Sequence, residues 1–425
     1  MILTDEEKAM LDGKEGRAVQ KAMDLLVRYG EALGAEKLVD TNNVCGALTS
    51  TNPFMRDYAM KLGQDAVFSQ FTLDSDEIVP IPKVKANSYQ LIQSVDPTNG
   101  KTLGASQALL EANAEYEEYV SGLGVNLLST CTPYQVGNVP VKGEICAWME
   151  SSAVIYINSV LGARTNVEGR ESTGAAMLTG KIPYWGFHID ENRLGTDLIE
   201  VELDVETMMD WGLLGYAIGD MVGERVPVID RIMKVPDRNM LKHFGAAAAS
   251  SGGVEMYHIP SITAEARTVQ EAFGKNTPKL KLTYGKEERR KAYERLNASA
   301  KSTEVDFIMF GCPHASIDQV WNIARLLDGK KINSNTDLWV FTPRALREVA
   351  DRNGYTRIIE AAGGKVISDT CPAIGQMMPE GTKVVATDSA KQAHYLPAIM
   401  GVETWFGSLE DCIDAAITGK WRGEL

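Results

Sequence analysis

The chain lacks most of the short signatures that announce a function. It has no Cys-x-x-Cys pair and no His-Glu-x-x-His, so a zinc ribbon, a thioredoxin-type redox site and a zincin have no support. No Gly-x-x-x-x-Gly-Lys-Ser/Thr occurs, and no Gly-x-Gly-x-x-Gly lies between a strand and a helix; phosphate-loop and dinucleotide binding have no anchor. Six cysteines in 425 residues are too few for a disulfide scaffold. No apolar run nears the ~18–20 residues of a membrane span. The start, Met-Ile-Leu-Thr-Asp-Glu-Glu-Lys, has no signal-peptide plan, so the expectation is a cytoplasmic protein without a membrane partner. Basic charge is short as well. Forty-three Lys and Arg against 57 Asp and Glu give a net charge of −14, which argues against nucleic acid, whose binding rests on cations against phosphate.

What is present is an ordinary apolar content of 44% on a chain long enough for two or three domains. Residues 4–34 predict a helix capped by Thr4. Residues 41–53 read as polar and turn-like, and 74–104, with three prolines, as irregular structure or an insertion. Residues 105–121 predict a helix, 151–180 a segment rich in small residues, and 198–206 a strand. Residues 212–219 read as a buried helix or tight turn. After residue 304 strands and helices alternate with short connections: strands 305–310, 338–342, 365–369, 383–387 and 402–406, helices 316–328, 343–353 and 408–418. This predicts a parallel sheet with helices on its faces. The division expected is an N-terminal α/β catalytic region, 1–300, and a C-terminal doubly wound α/β domain, 301–425.

Three cysteines share one setting. Cys131, Cys312 and Cys371 each end a short apolar run and are followed by proline within two residues. Ligands of open α/β sheets bind beyond the carboxyl ends of strands. Three thiols delivered there suit a shared metal centre, and three rather than four would leave one iron open to substrate. Cys146 and Cys412 lie among apolar residues on expected helices and read as structural; Cys45, in Asn-Asn-Val-Cys-Gly, reads as a loop cysteine.

The second constellation is residues 148–169. Glu150, Ser151, Ser152 and Asn158 interrupt an apolar helix, then Arg164, Thr165, Asn166 and Glu168 fill a glycine-bounded loop. Buried polar groups need partners. Internal bonding to backbone is one reading; a carboxylate clamp built on the Arg164 fork is the other. Of five histidines, His188 has acids close by, His314 follows Cys312, and His394 sits near Ser389 and Lys391; His243 and His258 read as structural.

These strings have a family likeness. Cys-Thr-Pro-Tyr, Glu-Ser-Ser-Ala-Val, Asn-Ser-Val-Leu-Gly-Ala-Arg-Thr-Asn-x-Glu-Gly, Gly-Cys-Pro-His-Ala-Ser and Asp-Ser-Ala-Lys-Gln-Ala-His-Tyr, in this order, resemble the large subunit of aconitase X from Leu3 to about Trp421. The resemblance implies an α/β fold, an aconitase-like large subunit with parallel-sheet α/β/α domains. It implies a hydro-lyase with an iron–sulfur cluster, [2Fe–2S] or [4Fe–4S], on three cysteines that map to Cys131, Cys312 and Cys371. The family includes cis-3-hydroxy-L-proline dehydratases and mevalonate 5-phosphate dehydratases. It also implies a small swivelling domain, fused or separate, that supplies a serine base; the separate subunit is the expectation here. Within that frame Arg164 and Asn166 hold a small hydroxy acid with Ser151, Ser152, Asn158, Thr165, Ser389 and Lys391 around it. Glu150, His188 or His314 shuttle protons. Seventeen methionines and many Asn and Gln suit a mesophile, which favours cis-3-hydroxy-L-proline over mevalonate 5-phosphate. A non-catalytic iron–sulfur sensor is the other alternative, disfavoured by the acidic charge.

Overall fold

A computed structural model describes residues 1–50 and 55–425; the last part of the 41–53 stretch lies outside the described residues. Among the described residues, three parallel sheets, of four, three and five strands, form the frame, with one short antiparallel sheet, Leu38–Asp40 against Lys181–Pro183. No helix among the described residues is long and apolar enough to cross a membrane.

The five-stranded sheet runs in the order Lys365–Ser368, Asp337–Thr342, Phe307–Phe310, Val384–Thr387, Glu403–Phe406, all parallel. Its central strand, Phe-Ile-Met-Phe, is buried throughout, as a strand covered by helices on both faces must be. Chain order reverses between Phe307–Phe310 and Val384–Thr387, so the crevice of this doubly wound unit opens where those two strands end. The helices between the strands start at readable caps: Ser316 with Gln319, and Ser408 with Asp411, form reciprocal capping boxes.

The four-stranded sheet is built from very short strands in the order Val125–Asn126, Ser88–Gln90, Val44–Gly46, Ala147–Trp148, again all parallel. Two expectations change here. Residues 74–104 supply a strand of this sheet rather than only irregular chain, and Cys45 lies in a fully buried strand, not a loop. The three-stranded sheet, Pro227–Asp230, Asp197–Val201 and Leu280–Tyr284, is covered by a tight helix pair, Met208–Val222 and Arg238–Gly252. The expected 4–34 helix is two helices, Asp5–Leu11 and Arg17–Ala32, separated by a turn in which Gly13 and Gly16 take positive φ.

The four- and five-stranded sheets turn their carboxyl ends toward each other. Gln93, beyond one strand, donates its N–H to the Asp369 carbonyl beyond another at 2.7 Å. Ser368 N–H donates to Asp96 Oδ2 at 2.7 Å. The functional cleft lies along this seam.

Candidate active site

Each of the three strand-end cysteines arrives at the seam from its own strand. Cys312 follows Phe307–Phe310 after Gly311. Gly311 has φ +91°, and a Cβ there would sit 2.0 Å from the Phe341 carbonyl oxygen, so only glycine lets the chain turn against the neighbouring strand. Cys371 follows Lys365–Ser368 and caps the short helix Pro372–Gly375. Cys131 follows Val125–Asn126 through Ser129, which takes φ +50°. Their charges interact mutually, Cys131 with Cys312 and Cys371, and Cys312 with Cys371. Burial pushes each thiol up to about 12. One group opposes that burial at all three: the Lys391 ammonium, which favours the thiolate form.

Lys391 lies in the helix Ala390–Met400, just beyond the strand Val384–Thr387, and is ion-paired with Glu150. Glu150 stands where Ala147–Trp148 runs out and caps the helix Ser151–Tyr156; Ser152 Oγ donates to its Oε1 at 2.7 Å. Glu150 takes φ +74°, a backbone state that costs a non-glycine residue energy and that clusters at functional sites. Burial opposes its charge, but Lys391 and Ser152 outweigh that and hold the carboxyl below its ordinary range. Ser389 Oγ donates to the Cys312 carbonyl.

Beside this group is a cavity of about 160 Å³, lined by residues beyond the ends of three strands of the four-stranded sheet, by Glu150, by Arg170 and by Ile374, smaller than the ~300–1,000 Å³ of drug-sized pockets and suited to a small acid. Arg170 opens the helix Arg170–Thr179. That helix lies so close to the strand Val44–Gly46 that a Cβ on Gly46 would meet Thr173 Oγ1 at 2.2 Å, which fixes Arg170 over the strand end. Its Nη1 contacts Met55 Sδ, while its Nε, like Gln90 Oε1 of the same cavity, is buried with no hydrogen-bond partner among the described residues. Sequence reasoning missed Arg170; the available signal was a lone cation opening a helix of small residues. A larger cavity of about 280 Å³, lined by Tyr134, Arg238, Lys242 and Ser316 among others, holds none of the three cysteines and not Glu150.

The structure thus brings together Cys131, Cys312, Cys371, Glu150, Ser152, Ser389, Lys391 and His314. Ser151 is the first residue of the Glu150-capped helix. The other expected residues are placed elsewhere. Asn158 exchanges bonds with the Thr165 backbone, Nδ2 to O at 2.9 Å and N–H to Oδ1 at 3.0 Å. Thr165 Oγ1 accepts from Trp148 N–H, and Asn166 Oδ1 accepts from Phe187 N–H. Arg164 donates to the His188 carbonyl and pairs with the exposed Asp190. The 164–167 string runs beside residues 145–148 as a further parallel edge, and its polar side chains are spent on backbone. The ring nitrogens of His188 face the carbonyls of Pro183 and Cys146, and those of His314 face Thr130 and the Thr370 carbonyl; burial pushes both imidazoles down to about 4. Neither ring has a nitrogen free for a substrate proton, which departs from the proton-shuttling expectation. Cys146 precedes a strand instead of lying on a helix, whereas Cys412 is on the helix Leu409–Thr418 as expected.

The domain families described as Aconitase X first, second and third domain match residues 1–191, 195–294 and 305–418. The chain is 38% identical to the phosphomevalonate dehydratase large subunit of Methanocaldococcus jannaschii over 97% of this chain and 99% of that protein. It is 32% identical to the cis-3-hydroxy-L-proline dehydratase of Pseudomonas aeruginosa over 97% of this chain and 70% of that protein. The crystal structure of Thermococcus kodakaraensis aconitase X in its holo-form superposes with a TM-score of 0.82 at 32% identity, covering 98% of this chain and all of that one. Strand-end thiols, the partly buried Glu150–Lys391 pair and likeness along the whole chain converge: the protein belongs to the aconitase X family, and it is a hydro-lyase, the class that its relatives' dehydratase names denote.

Proposed function

We propose that the chain is the large subunit of an iron–sulfur dehydratase acting on a β-hydroxy carboxylate, with mevalonate 5-phosphate the better supported substrate. The observation that carries the reading is the meeting of three strand-end thiols at one ammonium, Lys391, beside a cavity holding Arg170. An aconitase-type family implies an iron–sulfur cluster, and the donors fit one. Thiolates are its usual ligands, and the partly buried Lys391 ammonium offsets their charge. Among the described residues no three His, Cys, Asp or Glu groups surround a single metal ion; a cluster asks for less, since its thiolates bind different irons. Cys131, Cys312 and Cys371 would hold it. When bound it would supply a Lewis-acidic iron for the departing hydroxyl oxygen.

The chain's own groups account for the remainder. Arg170 orients the substrate carboxylate with its unpaired Nε. The apolar walls, Leu91, Ile92, Met149 and Ile374, exclude bulk water and strengthen that contact. Lys391 Nζ holds a proton against Glu150 Oε1, and this pair passes a proton to the leaving oxygen. The α-proton goes to a base on the small subunit, as the family resemblance implies. One C–H and one C–O bond break, a C=C bond forms and water leaves.

The substrate order follows the relatives. Identity reaches 38% and 37% with nearly complete coverage for two proteins named phosphomevalonate dehydratase large subunit, against 32% for the hydroxyproline dehydratases, which also supports a separate small subunit. The second reading, cis-3-hydroxy-L-proline, keeps support from its own relatives, of which this chain spans 70%. The test is anaerobic co-expression with a cognate small subunit, iron and sulfide analysis, and assay on both acids. Turnover of mevalonate 5-phosphate alone supports the first reading, turnover of hydroxyproline alone the second. Turnover of neither by a cluster-loaded complex sinks both.

A further inference from the structure

His314 lies at the centre of the three cysteine-bearing loops. Its backbone N–H donates to Cys131 Sγ at 3.3 Å. Its ring Nδ1 is 2.8 Å from Thr130 Oγ1, and its Nε2 is 3.1 Å from the Thr370 carbonyl oxygen. A carbonyl only accepts, so Nε2 carries the proton, and Nδ1 is left to accept from the Thr130 hydroxyl. Thr130 immediately precedes Cys131, Thr370 immediately precedes Cys371, and His314 itself follows Cys312 and Pro313. One side chain therefore ties together the residues beside all three thiols.

The anchor of that side chain is equally specific. The His314 carbonyl accepts from Lys242 Nζ at 2.9 Å and from Gln135 Nε2 at 3.1 Å. Lys242 is 1% exposed and reaches in from the helix Arg238–Gly252, its ammonium shared with Gln319 Oε1. His314 is fully buried. Among the described residues no backbone–backbone hydrogen bond joins the 130–132 loop to the 312–314 or 370–371 loops; the ties of Thr130 Oγ1 and Cys131 Sγ to the second loop both end on His314.

We infer that His314 is a positioning residue that locks three loops, distant in sequence, into one preformed thiol set, with Thr130 as its working partner. The inference rests on the proposal that Cys131, Cys312 and Cys371 are the cluster ligands. Loops that are already joined lose little freedom when ligands close on a cluster, and the same ties oppose its loss.

Thr130→Val removes the hydroxyl that bonds His314 Nδ1 and, within its own loop, the Thr132 N–H and Oγ1, whereas Thr130→Ser keeps all three. His314→Gln keeps an amide N–H for the Thr370 carbonyl and loses the Thr130 bond. Full-length chain carrying its cluster, purified anaerobically, is challenged with excess ferrous chelator, and iron release is timed. Visible circular dichroism of the cluster and thermal unfolding of the iron-free chain are recorded alongside. Thr130→Val and His314→Gln are expected to release iron about tenfold faster, the scale of one buried hydrogen bond, with altered dichroism and an unchanged iron-free melting temperature. Thr130→Ser is expected to stay near wild type, and the double variant Thr130→Val/His314→Gln to release iron more slowly than the product of the two single effects. Wild-type release from Thr130→Val and His314→Gln overturns the inference, and so does an iron-free melting temperature that falls in step with release. Serine variants of the three cysteines separate the two layers. If they retain full iron and sulfide, the ligand proposal fails and this inference with it; if they lose the cluster while the Thr130 and His314 variants hold it normally, only the positioning role fails.

Discussion

Arg170 Nε is buried without a partner in the cavity beside the thiols, while the Arg164 fork is engaged by the His188 carbonyl and by Asp190, whose side chain is 77% exposed. The two arginines predict opposite kinetics. Arg170→Lys exchanges a planar fork for a point charge and is expected to lower kcat/KM by about a hundredfold, the scale of a lost charge-assisted bond, mostly through KM. Arg164→Lys should leave kcat/KM within about threefold of wild type, because surface ion pairs contribute little. The reverse pattern in steady-state assays would return the clamp to Arg164. From sequence the clamp falls on Arg164 rather than on the proposed Arg170 for a physical reason. Thr165, Asn166 and Asn158 surround Arg164 with groups suited to a ligand, yet each is consumed by main-chain partners. Nothing in a linear string distinguishes a side chain that serves the backbone from one that serves a substrate. The cysteines were legible because a buried strand fixes where its end must lie, and each of the three sits at such an end.

Elements followed the same division. Beyond residue 304 the strands are four to six residues long and fully patterned, so the sequence-predicted ranges agree with them closely, and Ser316 and Ser408 mark helix starts by capping. In the first part of the chain, strands of two or three residues, such as Val125–Asn126 and Ala147–Trp148, are too short for a period of two to register. The string after Asn158 is itself held by an element junction with a measurable signature. Glu255, just beyond the helix Arg238–Gly252, accepts Val167 N–H at 3.0 Å and offers its carbonyl to Asn158. Burial pushes its carboxyl up to about 7, with the nearby charges of Glu168 and Glu224 adding to it, and Tyr29 close by. The folded state therefore binds a proton that the unfolded chain, with a pKa of ~4.3, releases earlier. Stability is expected to fall as pH rises from ~4.3 to about 7 and then to level, at a cost of at most roughly 4 kcal/mol. Glu255→Gln, which still accepts from Val167, should flatten that slope and melt higher than wild type at pH 8. Equal slopes for both proteins in denaturant titrations at pH 5 and 8 would place the pH dependence elsewhere.

At the scale of the whole molecule, the four- and five-stranded sheets and the helices against them deliver the cysteines, the Glu150–Lys391 pair and Arg170 to one seam, but the proposed α-proton base has no counterpart among them. Glu150 is held ionised by Lys391 and is weakened as a base by that partner. His188 and His314 spend both ring nitrogens on neighbouring protein groups. The relatives that this chain matches over almost their full length are named large subunits, whereas it spans only 70% of the relatives named as hydroxyproline dehydratases. Both observations support the proposal that a second polypeptide completes the site. The cluster-loaded chain alone is expected to bind substrate weakly and to turn over none. Titrating in a cognate small subunit should raise turnover to a plateau at a fixed stoichiometry, with a heteromer eluting ahead of either part on size exclusion. Because the base would arrive with the partner, the joined enzyme carrying a substitution of the partner's serine should still bind substrate through Arg170 yet lose kcat, separating chemistry from binding. Full turnover by the isolated chain would instead require a base within it, and Glu150, freed from Lys391 by substrate, would be the residue to test first.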